Sequence, residues 1–153
     1  MSTGVTSQHF NHAKVANMAQ QTEVKTAGAI RAKAGQHLFD LARIEHFKVG
    51  ADYSTTAASC IEGDRMMVAL ARMAAGTGAD AHSHPNEQWI YILEGTFVGE
   101  IAGVQFEAKP GVLLYLPANI VHSGKASAAS DVVFLTVKDN SHSLHGIKAP
   151  AGH

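Results

Sequence analysis

The chain has a single cysteine, Cys60, among 153 residues, which excludes an internal disulfide framework. The lone thiol reads as a small buried hydrophobe and fits a reducing compartment. Charge is scarce as well: Asp, Glu, Lys and Arg make up 16% of the residues and the formal net charge is -1. Without a basic surplus the chain lacks the footprint of a phosphate-backbone binder, and no helix-turn-helix segment is visible, so no nucleic acid partner is expected. Apolar runs are short, and none reaches the roughly 20 residues of a membrane-spanning helix. The polar stretch from Met1 to Gln21 has no apolar segment of the kind a secretory signal needs. The expectation is a cytoplasmic protein with no membrane partner.

Apolar residues nonetheless account for 46% of the chain, enough for one domain with a core. Residues 1–36 are rich in Ala, Thr, Gln and Lys and are broken by Gly28 and Gly35, so they read as an N-terminal arm that covers a sheet edge or a neighbouring subunit. Leu38 to Val49 mixes apolar and charged residues and reads as strand, with Gly50 to Thr56 as a loop. Further strands are expected at Arg65 to Met73, Gln88 to Leu93, Thr96 to Ile101, Gly103 to Ala108, Val112 to Leu116 and Val132 to Lys138. The breaks between them include Glu94-Gly95, Lys109-Pro110-Gly111, Pro117 and the stretch Ser123 to Ser130. Short strands at short spacing, with no convincing helix, predict an all-β sandwich or barrel over residues 37–140 and a tail over 141–153.

Two segments carry candidate chemistry: His82-Ser83-His84-Pro85-Asn86-Glu87-Gln88 and Pro117-Ala118-Asn119-Ile120-Val121-His122. On a strand His82 and His84 share a face. Gln88 shares its face with Ile90 and Ile92; the adjacent Glu87 is the alternative ligand, disfavoured because a slip of one residue points to the opposite face. His122 comes from a different strand pair. Three imidazoles and one amide from two hairpins can surround a divalent ion.

Both segments resemble the two motifs of the cupin superfamily. In the first, Gly76, His82, His84 and Gly95 stand at family positions and Gln88 stands where the family has Glu. In the second, Gly111, Pro117 and His122 fit, Asn119 replaces a Gly, and Ala126 replaces the final Asn. Asn tolerates a left-handed turn better than most residues, so its replacement is mild. The resemblance implies a cupin-type double-stranded β-helix, or jelly-roll, barrel and a metal held by His82, His84, Gln88 and His122. It also implies a homodimer paired through its sheets; imidazole-rich ligation suits zinc, nickel, iron, manganese or copper alike and names no one of them.

Four neutral ligands leave a divalent ion its full +2 charge, whereas a carboxylate ligand would lower it. Such a site is a stronger Lewis acid and is poorer at stabilising oxidised iron. The expected activity is therefore Lewis-acid catalysis on a small oxygenated, anionic organic substrate, of the isomerase, lyase or cyclase type. A cupin dioxygenase and a non-catalytic small-ligand binder are the alternatives.

Arg72, charged within an apolar run, is a candidate for binding a substrate carboxylate, and Glu100 is a candidate proton carrier; no general acid or base is otherwise assigned. Trp89 and Tyr115 read as packing groups and Tyr91 as pointing away from Gln88. His142 and His145 read as part of a solvated tail, with closure over the barrel mouth or a second ion site as the alternatives.

Overall fold

A computed structural model describes residues 23–50 and 52–150; the first 22 residues of the arm and the last three of the tail lie outside that range. In chain order the elements are β1 (Ile30–Arg31), a 3-10 turn at Leu41–Arg43, β2 (Phe47–Lys48), β3 (Ala57–Glu62), β4 (Met66–Met73), β5 (Gly78–Ser83) and β6 (Gln88–Glu94). They continue with β7 (Phe97–Ile101), β8 (Val104–Ala108), β9 (Leu113–Leu116), β10 (His122–Ala126), β11 (Val132–Asp139) and β12 (Ile147–Lys148). No described helix is long and apolar enough to cross a membrane.

The strands form two sheets. The larger runs β1-β3-β4-β11-β6-β9 with β2 beside β3, and the smaller runs β12-β5-β10-β7-β8. Alternation decides what each inner face contributes. Met67, Ala69, Ala71 and Met73 of β4 are buried, as are Ile90 and Ile92 of β6 and Val132 and Phe134 of β11. Phe97 of the smaller sheet meets both Phe106 of its own sheet and Phe134 of the larger, with ring centroids 5.5 Å apart in each pair. Each such buried ring contributes on the order of 2 kcal/mol to holding the sheets together. The result is the jelly-roll barrel that the two motifs imply.

Three segments differ from the sequence-based expectation. The stretch read as a break from Ser123 contains most of β10, a strand of the smaller sheet paired to both β5 and β7. Its polar sequence His-Ser-Gly-Lys-Ala lacks strand signals because space, not propensity, selects it: a Cβ at Gly124 would run into the ring of Phe97. Leu38 to Val49 is a 3-10 turn and a two-residue strand rather than one strand. Around Leu144 the tail is packed rather than solvated: the Asn86 Nδ2 group donates to the carbonyls of Asp139, Ser143 and His142 at 3.0, 3.2 and 3.3 Å, and Leu144 is buried. β12 then pairs with β5, setting Lys148 opposite His82.

The described part of the arm is tied to the same body. β1 pairs in parallel with β3, and the backbone N–H groups of Lys25 and Thr26 donate to the buried Glu62 carboxylate at 2.7 and 2.8 Å. Thr26 Oγ1 in turn accepts the N–H of Leu144 at 2.8 Å, so arm, barrel and tail share one hydrogen-bonded seam.

Candidate metal centre

The three histidines and the glutamine are brought together at one end of the barrel. His82 on β5 and His122 on β10 are direct cross-strand partners, and their ring centroids lie 4.2 Å apart. His84, just past β5, is 1% exposed and sits 5.0 Å from the His122 ring and 6.3 Å from the His82 ring. Gln88 opens β6 on the inner face. Asn119, at φ 64, makes the left-handed turn before β10 and donates its N–H to the His84 carbonyl at 2.7 Å, so the second motif is pinned to the first. Gly95 stands at φ 76 against the Asp131 carbonyl, where a Cβ has no room.

Each imidazole is oriented through Nδ1. His82 donates to the Asp80 carbonyl at 2.7 Å, His84 to the Asn86 carbonyl at 2.7 Å and His122 to the Ile120 carbonyl at 3.0 Å. A carbonyl only accepts, so the proton of each neutral ring sits on Nδ1 and Nε2 is a bare lone pair. The rings are held neutral: burial, the other imidazoles and the nearby Lys138 push His84 down to about 4 and His122 to about 3, and burial lowers His82 as well.

This creates a conflict at one contact. Nε2 of His84 lies 2.8 Å from Oε1 of Gln88, while the Gln88 amide donates to Thr136 Oγ1 at 2.8 Å and the Thr136 hydroxyl donates to the Trp89 carbonyl at 3.0 Å. With the His84 proton committed to Asn86, two acceptors face each other without a proton between them. A cation relieves that repulsion. Two ligand atoms each about 2.1 Å from one ion at a right angle stand about 3.0 Å apart, close to the separation seen. Neutral imidazoles with Nδ1 tied to carbonyls also have the orientation that metal-binding histidines use. The donor set therefore fits a divalent ion. Among the described residues no three His, Cys, Asp or Glu side chains are already closed into a ligand cluster; the imidazoles are packed neighbours.

Inside the barrel, beside these groups, is a cavity of about 70 Å³. His82, Gln88 and His122 line it together with Tyr53, Thr136 and Lys138; the rest of the described lining is aliphatic or aromatic apart from the hydroxyl groups of Ser54, Thr56 and Ser123. No Asp or Glu is among the described lining residues. Tyr53 stacks on His82 at 4.5 Å, and its hydroxyl accepts the Gly146 N–H at 2.6 Å. Lys138 is 3% exposed. Burial pushes it down to about 7, against the pull of Cys60 and Asp139.

The other sequence-derived candidates fall elsewhere. Arg72 is on the outer face, 55% exposed and paired with Asp131 at 3.4 Å, because the inward positions of β4 are Met67, Ala69, Ala71 and Met73. Glu100 does not line the chamber; its carboxylate accepts from Gln105 on the outside of β7 and β8 at 2.7 Å. Glu87 also faces outward, taking bonds from Trp89 Nε1 at 3.3 Å and Tyr115 Oη at 3.0 Å. Of the tail histidines, His145 accepts the Gly50 N–H at 3.1 Å. Tyr53, Thr136 and Lys138 are additions of the structure. Thr136 and Lys138 share the inward parity of Phe134, a signal present in the sequence, whereas Tyr53 sits in a loop and has none.

Residues 69–138 match the family described as Cupin domain. No curated protein sequence is significantly similar to the chain. Among solved structures, the polyketide cyclase RemF from Streptomyces resistomycificus superposes with a TM-score of 0.65 at 16% identity, covering 76% of this chain and 87% of that one. KdgF from Halomonas sp. gives 0.60 at 17% identity, over 69% and 94% of the two chains. The DMSP lyase DddQ from Ruegeria pomeroyi gives 0.61 at 17% identity, over 71% and 63%. The described chain has the jelly-roll barrel fold of these structures, and residues 69–138, a little under half of the chain, match the Cupin domain family.

Proposed function

We propose that His82, His84, Gln88 and His122 hold one divalent metal ion and that the adjoining chamber is the site of Lewis-acid chemistry on a small oxygenated organic molecule, of the isomerase, lyase or cyclase type. The observation that carries this reading is the acceptor pair His84 Nε2 and Gln88 Oε1, 2.8 Å apart with no proton to share. Side-chain rotation of the packed imidazoles, on strands already in register, is what remains for closure on the ion.

When bound, the ion would polarise a substrate oxygen, the more strongly because all four ligands are neutral. The chain's own residues do the rest. The Asp80, Asn86 and Ile120 carbonyls hold the imidazole protons on Nδ1 and so keep Nε2 available. Thr136 fixes the Gln88 amide. Tyr53 and Leu144 line the chamber, and the Tyr53 hydroxyl ties the tail to it at Gly146. A cyclase and a lyase among the structures that share this fold agree with the reaction class.

Elemental analysis of tag-free protein beside its His122→Ala and Gln88→Ala variants tests the proposal. Near-stoichiometric metal that falls in both variants is expected; a parent that holds no metal and takes up none on titration would overturn it.

A further inference from the structure

Lys138 is a buried amino group without a counter-charge, and an anion beside it would hold it protonated. It lies on β11 directly opposite Gln88, lines the chamber, and donates through Nζ to the Leu144 carbonyl at 3.0 Å. An ammonium has three N–H donors, and this carbonyl is the partner recorded for it among the described residues. No described carboxylate is within salt-bridge distance of it. The neighbouring Asp139 is turned away and takes the backbone N–H groups of Glu87 and Ser141 at 2.7 and 2.8 Å. An unpaired buried cation costs several kcal/mol, and a methionine of similar length would fill the same inward position without that cost.

The rest of the chamber sharpens the point. Four neutral metal ligands, one ammonium and no lining Asp or Glu leave the site with positive charge only. The walls that face this charge are Met73, Ile90, Phe97, Leu116 and Phe134. A polyhydroxylated acid would satisfy the charge but set most of its hydroxyls against those walls, the hydroxyl groups of Ser54 and Thr56 being already bonded to each other. A neutral hydrocarbon would satisfy the walls and leave the charge unpaired. A carboxylate on an apolar body satisfies both.

We propose that Lys138 is the anion-binding residue of the chamber and that its ligand class is a hydrophobic monocarboxylate, the carboxylate paired with Nζ and the apolar body lying among the aliphatic and aromatic walls. The proposal builds on the Lewis-acid reading by naming its substrate class, but the ion pair itself does not need the metal.

The test is calorimetric titration of the full chain, as purified and again after chelation, with benzoate, its neutral isostere benzamide, and gluconate. In the chelated protein benzoate is expected to bind at least tenfold more tightly than benzamide, with gluconate not binding. Lys138→Met is expected to abolish the benzoate preference while leaving benzamide unchanged; Lys138→Arg, which keeps the charge, should restore part of it. Equal binding of benzoate and benzamide by the chelated parent, or no binding of either, would overturn the proposal without requiring any variant to fold. So would equal loss of both ligands in Lys138→Met, which would make the residue a strut for the Leu144 segment. Lysine-dependent binding by a protein that holds no metal would sustain this inference and defeat the metal reading.

Discussion

Nε2 of His84 and Oε1 of Gln88 face each other at 2.8 Å as two acceptors, because the His84 proton is taken by the Asn86 carbonyl and the Gln88 amide nitrogen is turned to donate to Thr136. The amide orientation is thus set from behind, by a hydroxyl that itself donates to the Trp89 carbonyl. Thr136→Val keeps the shape and removes the hydroxyl. Metal affinity, measured by competition with a chelating dye, should fall about tenfold or more, with the far-ultraviolet circular dichroism unchanged.

Gln88→Glu tests charge at the same contact. A carboxylate adds a negative ligand, so the variant should hold a divalent ion at least as tightly as the parent while weakening the ion as a Lewis acid. The same dye competition reads the first effect. Weaker binding by Gln88→Glu would show that residue 88 does not ligate.

Asn119 adopts φ 64 and its N–H bonds the His84 carbonyl. Asn119→Gly should leave stability within about 0.5 kcal/mol, whereas Asn119→Val forces a branched side chain into the left-handed region at about 1–2 kcal/mol. Urea unfolding of the two variants checks this, and equal stability would contradict it.

Gly124 is the point where β10 passes under Phe97, and a methyl group there collides with the ring. Gly124→Ala should therefore cost about 1–3 kcal/mol through displacement of Phe97 from its stack on Phe106 and Phe134. The measurement is again the unfolding midpoint; a neutral substitution would mean that the sheets separate more easily than described.

The metal-free chain should lose stability on mild acidification. His84 and His122 are held down at about 4 and about 3, and His82 is lowered too, so between those values and the ordinary 6.5 the unfolded chain binds more protons than the folded one. The imidazole contribution to stability is then complete above 6.5 and is lost as pH falls towards 3, by on the order of a few kcal/mol. The interval from 6.5 to 5 isolates the imidazoles, since carboxylates titrate lower. Unfolding midpoints in chelator that stay flat over that interval would contradict the burial of the site.

Alternation made much of this legible before any coordinates. It separates Gln88 from Glu87, and the structure places Gln88 inside and Glu87 against Trp89 and Tyr115 outside. The turn at Asn119 was equally readable, from a residue type that tolerates positive φ. Arg72 was not, because β4 is apolar on both parities and only packing distinguishes its faces. Nor was β10, whose residues are chosen for the space that Phe97 leaves. Lys138 carries a signal, its shared parity with Phe134 and Thr136, that a lysine at a strand end hides by resembling a solvated residue. The burial of the tail rests on side chains distant in the sequence, among them Asn86, Tyr53 and Thr26, and no local pattern encodes such contacts.

The measurement that tests the central claim most directly is an anomalous-difference map from a crystal of the protein as purified, collected at the absorption edge of whichever metal elemental analysis finds. A single peak about 2.0–2.3 Å from Nε2 of His82, His84 and His122 and from Oε1 of Gln88 is predicted. A map with no peak there, even after metal soaking, with the Gln88 amide turned to donate to His84, would contradict it.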